Sequence, residues 1–194
     1  MKKRFKGSLE RFGQYLEFNQ KAILTHFGIF FLIVIVLLLI DLLTKQFLFR
    51  WDGDTLFGVH QGAGPNAYDH KNAFFGIRSI SNPGLTVFGT ILPTALIHFF
   101  NFIILFVCFA FLLVIRSKVF IVAIAFLSAG TLGNMIDRFA FSGYVRDIIF
   151  LPWLNPGSTF NLADVQALFG VSIAVFGLIY HIIVGMIKNN RSQQ

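Results

Sequence analysis

Four long apolar runs, at about 22–43, 93–115, 119–135 and 165–187, punctuate the chain, separated by polar stretches of very unequal length. The first reads AILTHFGIFFLIVIVLLLI before its first acid, Asp41. About 20 helical residues cross the roughly 30 Å hydrocarbon core of a bilayer, so each run predicts a membrane-spanning helix, the third at the short limit. His98, Asn101 and His181 interrupt the second and fourth runs. Only Arg116, Ser117 and Lys118 join the second run to the third, which forces an antiparallel hairpin; the connections 44–92 and 136–164 are longer. No small-residue cleavage site follows the first run, where 41–46 reads DLLTKQ, so it reads as a retained helix and not as a cleaved signal peptide.

Outside the runs the pattern changes. FFGIRSISNPGLTVFG, residues 74–89, alternates partly between apolar and polar positions and carries turn signals at Asn82, Pro83 and Gly84, predicting a short strand or two at the membrane interface. Residues 1–21 are basic with interleaved Phe5, Leu9, Phe12, Leu16 and Phe18, the pattern of an interfacial amphipathic helix or a flexible extension. The expected fold is therefore mainly α and polytopic. Four transmembrane helices form one membrane domain over 22–187, with a small extracytoplasmic β-like region and a short tail at 188–194.

Composition agrees, with 56% of the 194 residues hydrophobic and 13% charged. The net charge of +7 does not point to nucleic acid, because the cations fall between apolar runs and not on one ordered soluble face. Their placement instead sets orientation, since Lys and Arg near membrane ends stay on the cytoplasmic side. With both termini inside, ten of the sixteen basic residues are cytoplasmic, and seven of the nine acids collect at the opposite face. The single cysteine, Cys108, excludes an intramolecular disulfide and a two-cysteine metal site.

Four of those acids stand at predicted helix ends: Asp41 closes the first span, Asp137 follows the third, Asp147 lies ten residues further on, and Asp164 opens the fourth. Each has an ordinary reading. Asp41 and Lys45 are spaced for an i,i+4 ion pair at the interface. Asn134 and Asp137 share a helix face and can bond neighbouring helices, with Arg138 balancing the charge, and Asp164 suits a helix amino-terminal cap. Together they support something sharper. Two carboxylates converging in a partly dehydrated site cannot both ionise readily, so one retains a proton, and such a pair can activate water while polarising a carbonyl. No HExxH, GxSxG or Walker loop is present, and His60, Asp69 and His70 match no familiar metal spacing.

Five segments, DLLTK (Asp41–Lys45), SNPG (Ser81–Gly84), GNMIDR (Gly133–Arg138), GYVRD (Gly143–Asp147) and FNLAD (Phe160–Asp164), resemble the ordered motifs of the lipoprotein signal peptidase (signal peptidase II) family over about residues 40–170. The resemblance implies an aspartic endopeptidase of the bacterial cytoplasmic membrane that cleaves before the diacylglyceryl-modified cysteine of prolipoproteins. It implies Asp147 and Asp164 as the catalytic dyad, and Asn82, Gly84, Asn134, Asp137, Arg138 and Asn161 as positioning residues supported by Asp41 and Lys45. No metal or organic cofactor is implied. The expected partners are lipid-modified precursors and membrane lipids, and the expected state is a monomer. Two departures stand out: Ile148 occupies the position after the first catalytic aspartate where the family commonly has Phe, and NPGLTVFG is one residue longer than the family stretch, which leaves Phe88 and Gly89 without a clear correspondence.

The alternative from a different class is a small proton-coupled transporter using the same aspartates as a relay. A relay expects acids near mid-span, whereas these gather at one face and Asp147 lies outside every run.

For Asp147 as the partner of Asp164, the local argument is that Asp137 can be balanced by Arg138, whereas Arg146, adjacent to Asp147 in an extended segment, faces away from it. Gly143 is expected to end the preceding helix.

Overall fold

Lipid offers backbone amides no hydrogen-bond partner, so each apolar run must close its own ladder as a helix. The computed structural model describes residues 2–51, 68–84, 86–87, 90–153 and 159–191. Its first helix, α1 (Lys2–Phe18), is separated from α2 (Gln20–Leu48) by Asn19, at φ −101° and ψ 9°. Three more apolar helices follow, α3 (Thr94–Leu112), α4 (Lys118–Ala140) and α5 (Leu162–Arg191). α2 to α5 are each long and apolar enough to cross a membrane.

The helices outrun the apolar stretches at the end that carries the acids. α2 continues past Asp41 to Leu48, and α4 includes Asp137 and Arg138 before ending at Ala140. Asp41 therefore does not close its helix, nor does Asp137 follow one. Hydropathy locates the lipid-facing part of a helix, and these last turns leave it for a polar interior.

α4 is the axis of the bundle: 50% of its apolar stretch is buried in the protein, against 11%, 17% and 11% for α2, α3 and α5. Within a bilayer apolar side chains gain little by leaving lipid for protein, so close backbone approach at small residues does the joining. A Cβ on Gly170 of α5 would lie 2.6 Å from the Leu127 nitrogen and 2.7 Å from the Ala123 carbonyl oxygen of α4. Gly130 of α4 meets the Ala163 carbonyl oxygen and, at 2.7 Å, the Ala167 nitrogen in the same way. Phe30, Val34, Leu112, Ile121, Ala125 and Ala129 fill the core that joins α2, α3 and α4.

The strands are β1 (Tyr68–Lys71), β2 (Gly76–Asn82), β3 (Thr86–Val87), β4 (Thr90–Ile91), β5 (Val145–Phe150) and β6 (Thr159–Phe160). β3 and β4 form a small hairpin. The others form an antiparallel sheet in the order β1-β2-β5-β6, larger than the strand or two expected, because both long connections contribute to it. Ser142 and Gly143, with φ of 53° and 95°, reverse the chain after α4 and send it into β5. A side chain at 143 would also press on Thr94 Oγ1 of α3, 2.7 Å from the position of a Cβ. In the β2–β5 register Ile80 faces Asp147 and Asn82 faces Val145, so Asn82 and Asp147 lie on one face of the sheet. His60, Phe88 and Gly89 lie outside the described residues, as do 52–67 and 154–158 of the two long connections.

Candidate active site

One end of the bundle gathers polar groups that hydropathy alone would keep apart. Asp41 and Lys45 come from α2, Asn134, Asp137 and Arg138 from α4, Asn82 from β2, Asp147 from β5, and Asn161 and Asp164 from the start of α5. Asp41, Lys45, Asp137 and Asn161 have no exposed surface, and Asp147 is 2% exposed; Asp164, Asn82, Asn134 and Arg138 are half-buried.

Asn161 and Asp164 open α5 with reciprocal bonds. The Asp164 N–H donates to Asn161 Oδ1, and the Asn161 N–H donates to Asp164 Oδ2, both at 3.1 Å. This capping pair satisfies amides that a helix start otherwise leaves unpartnered. The cap reading of Asp164 is thus part of its geometry, and one oxygen remains for other work: Asp164 Oδ1 accepts from Asn134 Nδ2 at 2.7 Å.

Asp147 is held by amides as well. Asn82 Nδ2 donates to its Oδ2 at 2.9 Å and Asn161 Nδ2 to its Oδ1 at 2.7 Å. Asn82 is oriented in turn by the Gly84 N–H, which donates to Asn82 Oδ1 at 3.0 Å in a local side-chain turn. Gly84 adopts φ 130°, where a side chain is strained, and a Cβ there would also meet Ile97. Burial pushes the Asp147 carboxyl up to about 7. The negative charge of Asp164 acts in the same direction, while hydrogen bonds from Asn82 and Asn161 and the charge on Lys45 oppose it. Asp147 therefore keeps its proton below about pH 7, well above the range in which an exposed aspartic acid loses it.

The other two acids are locked by cations. Lys45 Nζ lies 2.8 Å from Asp41 Oδ2 and 3.4 Å from Asp137 Oδ2, and donates to Asn134 Oδ1 at 3.2 Å. The Asp41–Lys45 ion pair forms as expected from its spacing, but it is fully buried and not at an exposed interface. Asp41 Oδ1 also accepts from the Ala163 N–H at 2.9 Å, so α2 helps to cap α5. Gly133 leaves the room for this: a Cβ there would collide with the Asp41 carboxylate.

Asp137 differs from the expectation in its partner. Arg138 makes no ion pair with it and acts on it only at a distance; its Nη1 donates to the Asn134 carbonyl oxygen at 3.3 Å, and its Nε is buried without a partner. Arg146 does, with Nη2 2.8 Å from Asp137 Oδ1 and its own N–H donating to Asp137 Oδ2 at 3.0 Å. As strand alternation required, Arg146 turns away from Asp147; the extended backbone delivers it to α4. Sequence reasoning also missed Gly133 and Ala163, although both lie in the quoted motifs.

The structure thus brings Asp41, Lys45, Asn82, Asn134, Asp137, Asp147, Asn161 and Asp164 into one bonded network, with Gly84 and Arg138 attached at its edge. Such a network can share a proton between two carboxylates beside a water. Among the described residues no group of three His, Cys, Asp or Glu side chains could hold a metal.

A family model described as signal peptidase (SPase) II matches residues 19–183. The chain belongs to the signal peptidase II family. Among members of that family, a lipoprotein signal peptidase of Blochmanniella pennsylvanica (strain BPEN) is 29% identical over 167 residues, 80% of this chain and 89% of that one. Another, of Rickettsia africae (strain ESF-5), is 30% identical over 163 residues, 74% of this chain and 69% of that one. Two solved structures, each described as a bacterial membrane enzyme, match with TM-scores of 0.63 at 25% and 26% identity, covering 79% and 78% of this chain and 88% and 92% of theirs. As a signal peptidase II the chain is a multi-pass membrane protease of the class that removes signal peptides from prolipoproteins. α1 precedes the stretch that the family model matches.

Proposed function

We propose that this signal peptidase II is an aspartic endopeptidase in which Asp147 and Asp164 act as a pair on prolipoproteins, cutting before a diacylglyceryl-modified cysteine. The observation that carries the reading is the contrast in partners: these two acids are held by asparagine amides and a backbone amide, with no cation in ion-pair contact among the described residues. Asp164, the more open of the two, takes a proton from water as the oxygen attacks the scissile carbonyl carbon. Asp147 gives its proton to the carbonyl oxygen. When the tetrahedral intermediate collapses the C–N bond breaks, the carbonyl re-forms and returns its proton to Asp147, and the proton held by Asp164 passes to the leaving amine. Arg138, whose Nε is unpartnered, and Asn82 lie beside this space and suit the substrate backbone.

Lipid supplies recognition. A bundle with modest loops has little surface for reading a long peptide, whereas acyl chains in the bilayer present the adjoining bond at the depth of the dyad. The dyad lies at the end of α2 remote from α1, and cation placement puts α1, the Arg116–Lys118 turn and the end of α5 in the cytoplasm, with the dyad at the outer face of the bacterial inner membrane. A monomer suffices for this scheme, which calls on no group from a second copy. A proton relay is the poorer reading, because the network closes on itself at one end of the bundle.

Incubating purified protein with a lipid-modified prolipoprotein and with its unmodified form tests the specificity: cleavage of only the former is expected, and equal turnover of both would refute it. A cysteine at position 117, in a Cys108→Ala background, tests the orientation. It should escape an impermeant thiol reagent in intact cells, and labelling there would reverse the topology.

A further inference from the structure

The structure assigns Arg146 a positioning role: it completes a neutral chain of four buried charges whose ends hold the residues immediately before Asp147 and Asp164. The role rests on reading those two aspartates as the dyad. From α5 the chain runs from the Ala163 N–H to Asp41 (2.9 Å), Asp41 to Lys45 (2.8 Å), Lys45 to Asp137 (3.4 Å) and Asp137 to Arg146 (2.8 Å). Its last link doubles back onto the backbone, since the Arg146 N–H also donates to Asp137 at 3.0 Å. Ala163 precedes Asp164 and Arg146 precedes Asp147, so the links set the separation of α5 from β5 where the two carboxylates must meet.

Arg146 is needed on two counts. Asp41, Lys45 and Asp137 alone carry one excess negative charge in a place with no exposed surface, and an uncompensated buried charge is strongly destabilising. The guanidinium also offers a planar fork, with Nε 3.3 Å and Nη2 2.8 Å from Asp137 Oδ1, while its Cζ sits 4.4 Å from the centre of the Phe141 ring at the end of α4. A lysine supplies the charge without the fork, so it balances the cluster and leaves β5 loose.

The groups facing Asp147 are Asp164 from α5, Asn161 from the turn before it, Asn82 from β2, and the charges of Lys45 on α2 and Arg138 on α4. Arg146 is on the opposite face of the strand and acts on Asp147 only through Asp137 and the backbone. Removing its charge exposes Asp147 to a less compensated Asp137, which disfavours ionisation of Asp147 and moves its titration to higher pH.

The test measures turnover of a lipid-modified prolipoprotein by wild type, Arg146→Lys, Arg146→Met and the Arg146→Met/Asp137→Asn double variant in lipid nanodiscs across pH, with hydrogen exchange of the β5 amides read in the same samples. Arg146→Lys should fold, lose about 10- to 100-fold in kcat with KM within about twofold, and exchange its β5 amides faster, since displacement of a reacting group by about 1 Å costs on the order of 100-fold. Arg146→Met should move the basic limb of the pH profile upward, and the double variant should bring it back towards wild type. Wild-type kcat together with wild-type β5 exchange in Arg146→Lys would overturn the proposal, and that variant also decides the matter if Arg146→Met does not fold. A wild-type protein that cleaves nothing sinks the dyad reading instead, and β5 exchange then judges the clamp by itself.

Discussion

Two pairs of carboxylates share one end of this bundle, and they are held by different chemistry. Asp41 and Asp137 sit against Lys45, with Arg146 completing the second. Asp147 and Asp164 are held by Asn82, Asn134, Asn161 and a backbone N–H. A cation at 2.8 Å favours the charged form of a carboxylate and fixes where it points. A neutral amide satisfies an oxygen's hydrogen-bonding capacity while leaving the proton free to reside on either acid. The first pair therefore suits structure and the second suits proton transfer, although all four acids look alike in the sequence.

Replacing a member of the second pair should have the largest effect. Asp164→Asn should lower cleavage by on the order of 10⁴-fold or more at normal membrane levels, and adding Asp147→Asn should make it no worse, because members of a catalytic unit are not additive. Single-turnover rates on a lipid-modified precursor provide the check. Disturbing the first pair should instead appear as stability. Asp137→Asn leaves Lys45 and Arg146 short of a carboxylate, a loss of about 3–5 kcal/mol by analogy with other broken buried ion pairs. Thermal unfolding in detergent should show that loss while the protein that remains folded keeps measurable turnover.

A smaller effect is expected at Gly133, where an added methyl must displace the Asp41 carboxylate. Gly133→Ala should cost about 1–3 kcal/mol, as overpacking commonly does, and Gly28→Ala, with open space at its Cβ, serves as the control. The smallest effect is a shift in pH dependence. In the proposed reaction Asp147 gives up a proton, so activity should fall as pH rises through about 7. The Asn82 amide favours the charged form of Asp147, so Asn82→Ala removes a donor and raises the Asp147 pKa further. The alkaline limb should move upward by up to about one pH unit, and a downward move would contradict the assignment.

Much of this was legible in the chain because lipid imposes simple rules. The four spans follow from run length, and the motifs at their ends supplied ten of the residues now found joined, though not the Arg146 and Ala163 links. What the sequence concealed depends on directions in space. The first and third apolar runs stop at about Leu43 and Met135, yet α2 and α4 continue, because their last turns bury charge against charge and not against lipid. Arg138 was the natural partner for Asp137 by adjacency; consecutive helix positions point about 100° apart, and the chain reversal at Ser142 and Gly143 brings Arg146 back instead. Gly133 looked like one more small residue until the Asp41 carboxylate occupied its missing side chain. β5 lacks strand alternation because both its faces are buried, with Val145, Arg146, Asp147 and Ile148 all inside.

The most direct test of the central claim compares Asp147→Asn with Asp137→Asn at equal amounts of folded protein, in single turnover on a lipid-modified prolipoprotein. A silent Asp147→Asn variant and a weakened but active Asp137→Asn variant are expected. A well-folded Asp147→Asn variant with substantial activity, beside an equally stable but inactive Asp137→Asn variant, would contradict that claim and make Asp137 the partner of Asp164.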